Sequence, residues 1–160
     1  MAHPTPSLTV AVCTRGRPDQ LRSTLAALQR EAAAGFDLVV VDQSDQPMAD
    51  GGVRVIANPG RGLSRARNVA LRETRAEWIA FVDDDCTVEE GFGRSLLDEL
   101  SAHPEADWLS GNVDGDRARD GDLPLVTTFR VERDQVLSGR WTLPGSIGFG
   151  VLFAVRRSTA

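Results

Sequence analysis

The sequence has few cysteines and no long apolar run, which argues against a disulfide-rich secreted protein and against a membrane-spanning one. Cys13 and Cys86 are the only cysteines in the 160 residues, too few for a disulfide framework. No apolar stretch approaches the ~20 residues that span a bilayer. Residues 1–7 contain no basic, apolar signal segment. We therefore expect no transmembrane segment and a cytoplasmic setting, in solution or peripheral at the inner membrane face.

An excess of positive charge is also lacking. The formal net charge of -5 gives no global attraction to nucleic acid, so we expect no nucleic-acid partner. The two histidines, His3 and His103, lie outside any site pattern. The length and the apolar content of 41% suffice for one domain with a buried core. We predict a flexible N-terminus over residues 1–7 and a single domain over residues 8–160.

Apolar runs and helical spacing alternate along the chain. Strands are predicted at residues 8–13, 36–41, 53–57, 77–82, 106–110 and 147–155, and helices at 18–35, 63–75 and from 89 onwards. We expect Leu63 and Phe92 to be buried in these helices, and Trp78 and Trp108 to lie in the core. The alternation indicates an α/β three-layer sandwich with a mainly parallel central sheet.

Three consecutive aspartates, Asp83, Asp84 and Asp85, directly follow the apolar strand at 77–82. Because side chains alternate in extended chain, Asp83 and Asp85 are expected on one side and Asp84 on the other. Two such carboxylates suit a hard divalent ion, Mg²⁺ or Mn²⁺, which usually takes phosphate oxygens as further ligands. An isolated acidic run is commonly a solvated turn, but ligands of open α/β sheets bind at strand ends, which favours a site.

Other polar residues also follow predicted strands. Thr14, Asp42, Asn58 and Asp83 each come after a different one. In a parallel sheet the carboxyl ends of the strands lie along one edge, where a crevice binds ligands. We therefore expect these four positions to gather at one edge of the sheet.

Four segments, in this order, resemble family 2 glycosyltransferases of the GT-A fold. They are VCTRGRP at 12–18, VVVD at 39–42, GLSRARN at 62–68 and EWIAFVDDD at 77–85. The resemblance extends over nearly the whole chain and implies a GT-A-like, Rossmann-type sandwich. It also implies transfer of a sugar from a nucleotide-diphosphate sugar, commonly UDP-linked, to an acceptor hydroxyl, usually with inversion at the anomeric carbon.

The resemblance also implies roles for residues that bind the nucleotide. Thr14 and Arg15 lie in the loop that holds the nucleoside, and Arg67 lies beside the base and the diphosphate. Asp42 matches the carboxylate that accepts a hydrogen bond from the base, although it could merely cap a turn. The other arginines of this region could form only a solvated helix face; they are Arg61, Arg65 and Arg72.

The aspartate run has implied roles of its own. Asp83 and Asp84 fall where the family contacts the ribose and the metal. Asp85 matches the last carboxylate of the D-x-D motif, which binds the Mn²⁺ or Mg²⁺ that bridges the diphosphate. That ion neutralises the charge that grows on the leaving nucleoside diphosphate. We therefore expect Asp85 and Asp83 to be the metal ligands.

The chain departs from the family beyond the strand at 147–155. The family's general base usually lies a couple of dozen residues further on, so we expect it beyond Ala160. We also expect the last strand to be unpaired. The carboxylates in the polar loop do not occupy the base position; they are Asp114, Asp116, Asp120 and Asp122. Trp141, in a later loop, could stack on a sugar. The acceptor, whether glycan, lipid or small molecule, is not readable.

Two other function classes stay open at this point. The segment GRGLSR at 60–65 begins like the G-x-G-x-x-G of dinucleotide-binding oxidoreductases, but Arg65 replaces the third glycine. The triple aspartate is also unexplained in that class. A non-catalytic remnant that binds nucleotide or a partner chain without turnover is the second alternative.

Overall fold

The computed structural model describes residues 6–48, 52–111 and 152–158. The strands are β1 (Leu8–Thr14), β2 (Asp37–Asp42), β3 (Arg54–Ala57), β4 (Trp78–Asp83), β5 (Trp108–Ser110) and β6 (Leu152–Arg156). The helices are α1 (Pro18–Glu31), α2 (Leu63–Glu73) and α3 (Phe92–Ala102), with a short 3₁₀ helix (Ala32–Ala34) after α1. In the part of the chain that is described, no helix is long and apolar enough to cross a membrane.

The strands form one six-stranded sheet in the order β3-β2-β1-β4-β6-β5. Strand β1 pairs in parallel with β2 and β4, and β2 pairs in parallel with β3. Strand β6 is antiparallel to both of its neighbours, β4 and β5. The expected mainly parallel sheet is confirmed. The expectation of an unpaired last strand is wrong, because β6 lies between two other strands.

Two apolar clusters cover the two faces of the sheet. On one face the leucines of α1 and α3 pack against alternate residues of β1, β2 and β4, with Trp78 fully buried among them. On the other face Ala66 and Ala70 of α2 pack against the intervening strand residues, such as Val39 and Ile79. Helices on both faces of a central sheet make the expected three-layer sandwich.

Three expectations about burial are not met. Leu63 is 46% exposed and Trp108 is 39% exposed, whereas both were expected in the core. Phe92 is only partly buried. Leu63 and Phe92 are the first residues of α2 and α3, and Trp108 lies on the edge strand β5. Helix ends and edge strands have fewer neighbours than element centres, so helical spacing alone overestimates burial there.

Arg156 links β6 to the rest of the sheet. Its guanidinium donates to Glu77 and, at 2.6 and 3.0 Å, to the backbone oxygens of Pro104 and Ala106. It also lies 4.6 Å from the centroid of a Trp78 ring. We expect Arg156→Ala to lower the free energy of unfolding by about 2–4 kcal/mol, because several charged hydrogen bonds and the ring contact are lost together. Urea denaturation measures this loss.

The matched control is Arg94→Ala on α3. Arg94 donates to Asp98 one turn away at 3.0 Å, but both side chains are more than half exposed. Such a surface pair is worth only about 0.3–0.5 kcal/mol. Equal destabilisation by the two substitutions would show that Arg156 adds nothing beyond a surface charge.

Candidate functional site

The carboxyl ends of β1, β2 and β4 lie side by side at one edge of the sheet. Thr14, the last residue of β1, is in register with Asp42, the last residue of β2. Asp83, the last residue of β4, is in register with Cys13. The backbone N–H of Asn58, just after β3, donates to the backbone oxygen of Asp42 at 2.9 Å. The structure thus brings the polar residues that follow these strands to one edge, as the sequence predicts.

Asp84 is buried at this edge and joins β1, α1 and the end of β4. Its Oδ2 accepts a hydrogen bond from Oγ1 of Thr14 at 2.6 Å, and its Oδ1 accepts one from Nη1 of Arg17 at 3.1 Å. Oγ1 of Thr24 donates to the backbone oxygen of Asp84 at 2.9 Å. Only 6% of Asp84 is exposed. These bonds hold the end of β4 against β1 and α1, so Asp84 has a structural role. Its contact with a ribose stays a prediction.

Asp83 lies beside a guanidinium from α2. Nη2 of Arg67 is 3.4 Å from Oδ1 of Asp83, and the guanidinium carbon lies 5.6 and 4.9 Å from the ring centroids of Phe81 and Phe153. Burial raises the pKa of Asp83; the charge of Arg67 opposes this rise, and the neighbouring carboxylates add to it. The ionised form of Asp83 is thus disfavoured in the ligand-free chain, and a cation bound nearby would favour it again.

Asp85 lies beyond the end of β4 and is exposed. Its Oδ2 accepts a hydrogen bond from Nη1 of Arg17 at 3.1 Å, and 54% of its side chain is accessible. The side chains of Asp83 and Asp84 have different partners, Arg67 and Thr14. Asp84 and Asp85, however, lie in a turn and share Nη1 of Arg17, so the alternation expected for extended chain does not hold here. The charge of Asp85 raises the pKa of Asp83 more than that of Asp84 does. Both neighbouring carboxylates therefore disfavour the ionised form of Asp83.

Arg17 lies at this edge, and the sequence interpretation assigned it no role. It precedes α1, and one nitrogen of its guanidinium contacts both Asp84 and Asp85. The sequence offered only a weak signal, an arginine in the VCTRGRP segment. No local pattern indicates that this arginine meets carboxylates 67 and 68 positions away. Arg15, which was assigned to the nucleoside, is exposed in the same loop.

Asp42 is 3% exposed, and its carboxylate organises the loop after β2. Oδ1 accepts the backbone N–H of Ser44 at 2.8 Å, and Oδ2 accepts that of Met48 at 2.9 Å. The turn-capping interpretation therefore describes part of what Asp42 does. A carboxylate has about four lone-pair positions, so two backbone bonds leave acceptor capacity for a base. The contact with a base stays a prediction.

Two amide groups beside Asp42 are buried and have no hydrogen-bond partner among the described residues. They are Nε2 of Gln43 and Nδ2 of Asn58. The backbone N–H of Gln43 donates to the backbone oxygen of Thr14 at 2.9 Å, so the residue is anchored at the same edge. Buried donors without acceptors are unfavourable. An incoming ligand oxygen would relieve that cost, which makes these amides additional binding candidates.

The donor set at this edge fits a hard divalent cation. Within the described ranges, no group of three or more His, Cys, Asp or Glu side chains is arranged to hold a metal ion. Mg²⁺ and Mn²⁺ sites for nucleotides commonly use only one or two carboxylates, with waters and phosphates as the other ligands. Asp83 and Asp85 carry only oxygen donors, the kind of ligand that these ions prefer, and their role as metal ligands stays a prediction.

The other predicted positions divide into exposed residues and residues outside the described ranges. The arginines interpreted as a solvated face, Arg61, Arg65 and Arg72, are all exposed. The loop residues Asp114, Asp116, Asp120, Asp122 and Trp141 lie outside the described residues, as do residues 1–5 of the expected flexible N-terminus. Ser7 belongs to the folded part, since its backbone oxygen accepts the N–H of Trp78 at 3.0 Å.

Both cysteines are free thiols near this edge. Burial raises the pKa of Cys13 to about 12 and that of Cys86 to about 11. A thiol with so high a pKa is almost wholly protonated near neutral pH and is a poor nucleophile. Neither cysteine is therefore a candidate for covalent catalysis.

Comparisons with known proteins agree with this geometry. The profile of glycosyl transferase family 2 matches residues 9–158. An uncharacterized glycosyltransferase of Haemophilus influenzae is 22% identical over 94% of this chain and 53% of its own length. The rat beta-1,4 N-acetylgalactosaminyltransferase 1 is 30% identical over 89% of this chain and 25% of its own length. The chain thus spans about half of the first relative and a quarter of the second.

Solved glycosyltransferase structures share the fold. A mannosyltransferase of Pyrobaculum calidifontis, in complex with GDP-Man and Mn²⁺, matches with a TM-score of 0.61 and 16% identity, over 97% of this chain and 46% of that one. TarS of S. aureus, in complex with UDP-GlcNAc, matches with a TM-score of 0.56 and 20% identity, over 73% of this chain and 37% of that one. The chain belongs to glycosyl transferase family 2 and has the GT-A fold.

Proposed function

We propose that residues 8–160 form the donor-binding portion of a metal-dependent glycosyltransferase. Its donor is a nucleotide-diphosphate sugar, of which the UDP-linked form is the one to test first. The enzyme transfers the sugar to an acceptor hydroxyl with inversion at the anomeric carbon. The observation that carries this proposal is the single edge of the parallel sheet at which Thr14, Asp42 and Asp83 meet. The free thiols are consistent with a cytoplasmic setting.

The end of β2 is the proposed base side of the site. The carboxylate of Asp42 accepts a base N–H with the lone pairs that Ser44 and Met48 leave available. The amides of Gln43 and Asn58, which have no partner in the described ranges, provide donors for base or ribose oxygens. Arg15, exposed on the loop after β1, completes the nucleoside contacts.

The end of β4 is the proposed diphosphate side. Asp85 and Asp83 would hold Mn²⁺ or Mg²⁺, which supplies positive charge against the leaving diphosphate. Arg67 lies against Asp83 and two aromatic rings, which limits the motion of its guanidinium and supports the proposal that it binds the diphosphate. Asp84, braced by Thr14 and Thr24, keeps the end of β4 against β1 and α1.

The acceptor side is not assigned to any described residue. Transfer needs a base that takes the proton of the acceptor hydroxyl, a contribution typically of ~10²–10⁴ in rate. The 160 residues span about half of the H. influenzae relative. We therefore propose that the general base and the residues that orient the acceptor lie in the part of family members that residues 8–160 do not match. The 160-residue chain is then expected to bind donor but to transfer sugar poorly.

Calorimetry with UDP, with and without Mn²⁺, tests the proposal. UDP should bind in the presence of Mn²⁺ and much more weakly in EDTA. At a UDP concentration a hundred times the Kd, the free energy of unfolding should rise by about 2.7 kcal/mol. NADH serves as the control for the dinucleotide-binding alternative and should not bind. NADH binding without a response to UDP, GDP or Mn²⁺ would contradict the proposal.

A further inference from the structure

Arg17 has two carboxylate partners of very different character. Asp84 is buried and is also anchored by the hydroxyls of Thr14 and Thr24, so its position does not depend on Arg17. The carboxylate of Asp85 is exposed and, among the described residues, has only Arg17 and a 4.0 Å contact with the sulfur of Cys86. Arg17 itself is 53% exposed at its side chain. The bond between Arg17 and Asp85 can therefore break without loosening the edge.

We propose that Arg17 exchanges partners when the donor binds. In the ligand-free chain its guanidinium pairs with Asp85, a proposed cation ligand. When a divalent cation and a nucleoside diphosphate enter, Arg17 releases the Asp85 carboxylate and donates its N–H groups to diphosphate oxygens. Arg17 is thus a positioning residue for the cation ligand and a binding residue for the diphosphate. The inference rests on the proposed function.

Charge and exposure favour this exchange. The carboxylates of Asp83, Asp84 and Asp85 face the guanidiniums of Arg17 and Arg67, which leaves one excess negative charge. An exposed ion pair contributes less than about fivefold to an equilibrium constant, so a hard cation can displace Arg17 from Asp85. A guanidinium binds phosphate oxygens bidentately, which offers the released Arg17 a better partner than water.

The test measures two affinities of Arg17→Ala, which the exchange moves in opposite directions. Titration of Mn²⁺ without nucleotide, followed by electron paramagnetic resonance, should show binding about two- to fivefold tighter than in the wild type, because a competing cation is gone. Calorimetry with UDP in saturating Mn²⁺ should show binding about tenfold weaker or more, because a charged hydrogen-bond donor is lost. Uridine, which has no diphosphate, should bind both proteins equally.

Two further variants make the comparison specific. Arg22→Ala changes the net charge equally, but Arg22 pairs with Asp19 on the surface of α1, so both affinities should stay at wild-type values. Arg17→Gln removes the charge while keeping a hydrogen-bond donor beside Asp84, and it should reproduce the alanine result if Arg17→Ala does not fold. Circular dichroism of each variant shows whether the fold is kept.

The outcomes separate the exchange from the proposed function. Tighter Mn²⁺ binding together with weaker UDP binding supports the exchange. If Arg17→Ala or Arg17→Gln binds Mn²⁺ equally or more weakly than the wild type, Arg17 only holds the carboxylates and the exchange is wrong. Unchanged UDP affinity overturns it as well. A wild-type chain that binds neither Mn²⁺ nor UDP overturns the proposed function itself.

Discussion

Replacing Asp85 by alanine is expected to abolish the metal-dependent part of UDP binding, a loss on the order of a hundredfold or more in affinity. Asp85 is a proposed ligand of the divalent cation, and with one carboxylate removed only Asp83 remains to hold it. The free energy of unfolding should change by less than about 0.5 kcal/mol, because the side chain is 54% exposed. Calorimetry with UDP in Mn²⁺ and in EDTA measures the first effect, and urea denaturation the second.

Asp98→Ala is the matched control for this substitution. Asp98 is similarly exposed and also accepts a hydrogen bond from an arginine, Arg94, but it lies on α3. It should leave the Mn²⁺ dependence of UDP binding unchanged. An Asp85→Ala chain whose UDP affinity still rises with Mn²⁺ as in the wild type would remove Asp85 from the site.

Asp42→Asn is expected to weaken both the fold and the binding of the base. Each carboxylate oxygen of Asp42 accepts a backbone N–H, from Ser44 and Met48, and an asparagine places an NH₂ group against one of these donors. The free energy of unfolding should fall by about 1–3 kcal/mol, the range for a buried group left without a partner. UDP binding should weaken by about 1.5–3 kcal/mol, the range for a charged hydrogen bond.

Asp37→Asn provides the matched control on the same strand. Asp37 is the first residue of β2, at the end of the strand away from the candidate site, and is exposed, so stability and UDP affinity should stay near wild-type values.

Comparing the binding of uridine with that of pyrophosphate in Mn²⁺ separates the base side of the site from the diphosphate side. Asp42→Asn should weaken uridine binding and leave pyrophosphate binding unchanged. If uridine binds the variant as it binds the wild type, Asp42 only caps the loop.

The elements and the location of the candidate site were predictable because their signals are local. Apolar runs such as the one before Asp83 mark buried strands, and the spacing of leucines marks α1. Once strands alternate with helices, the parallel pairing places Thr14, Asp42 and Asp83 at one edge. The bounds of the elements and the burial of their end residues were less predictable, because neighbours in space determine them.

The contacts inside the site depend on distances that no local pattern contains. Arg17 lies 67 and 68 positions from its carboxylate partners, and Arg67 lies over Phe153, a residue of the antiparallel strand β6. The position of β6 between β4 and β5 was likewise not predicted, because strand order depends on which edges remain available after the parallel strands pair.

The sequence by itself determined the layered α/β architecture, the family resemblance and the set of polar residues at the strand ends. The architecture and the strand-end positions follow from periodicity and spacing, which act over a few residues at a time, and the resemblance follows from the four motif segments. Only the tertiary structure decided the state of each carboxylate: Asp84 is braced in the interior, Asp42 is bonded to its own loop, and Asp85 is exposed beside Arg17. Burial and partners set the charge, the mobility and the remaining acceptor capacity of a carboxylate, and both arise only when distant segments pack together.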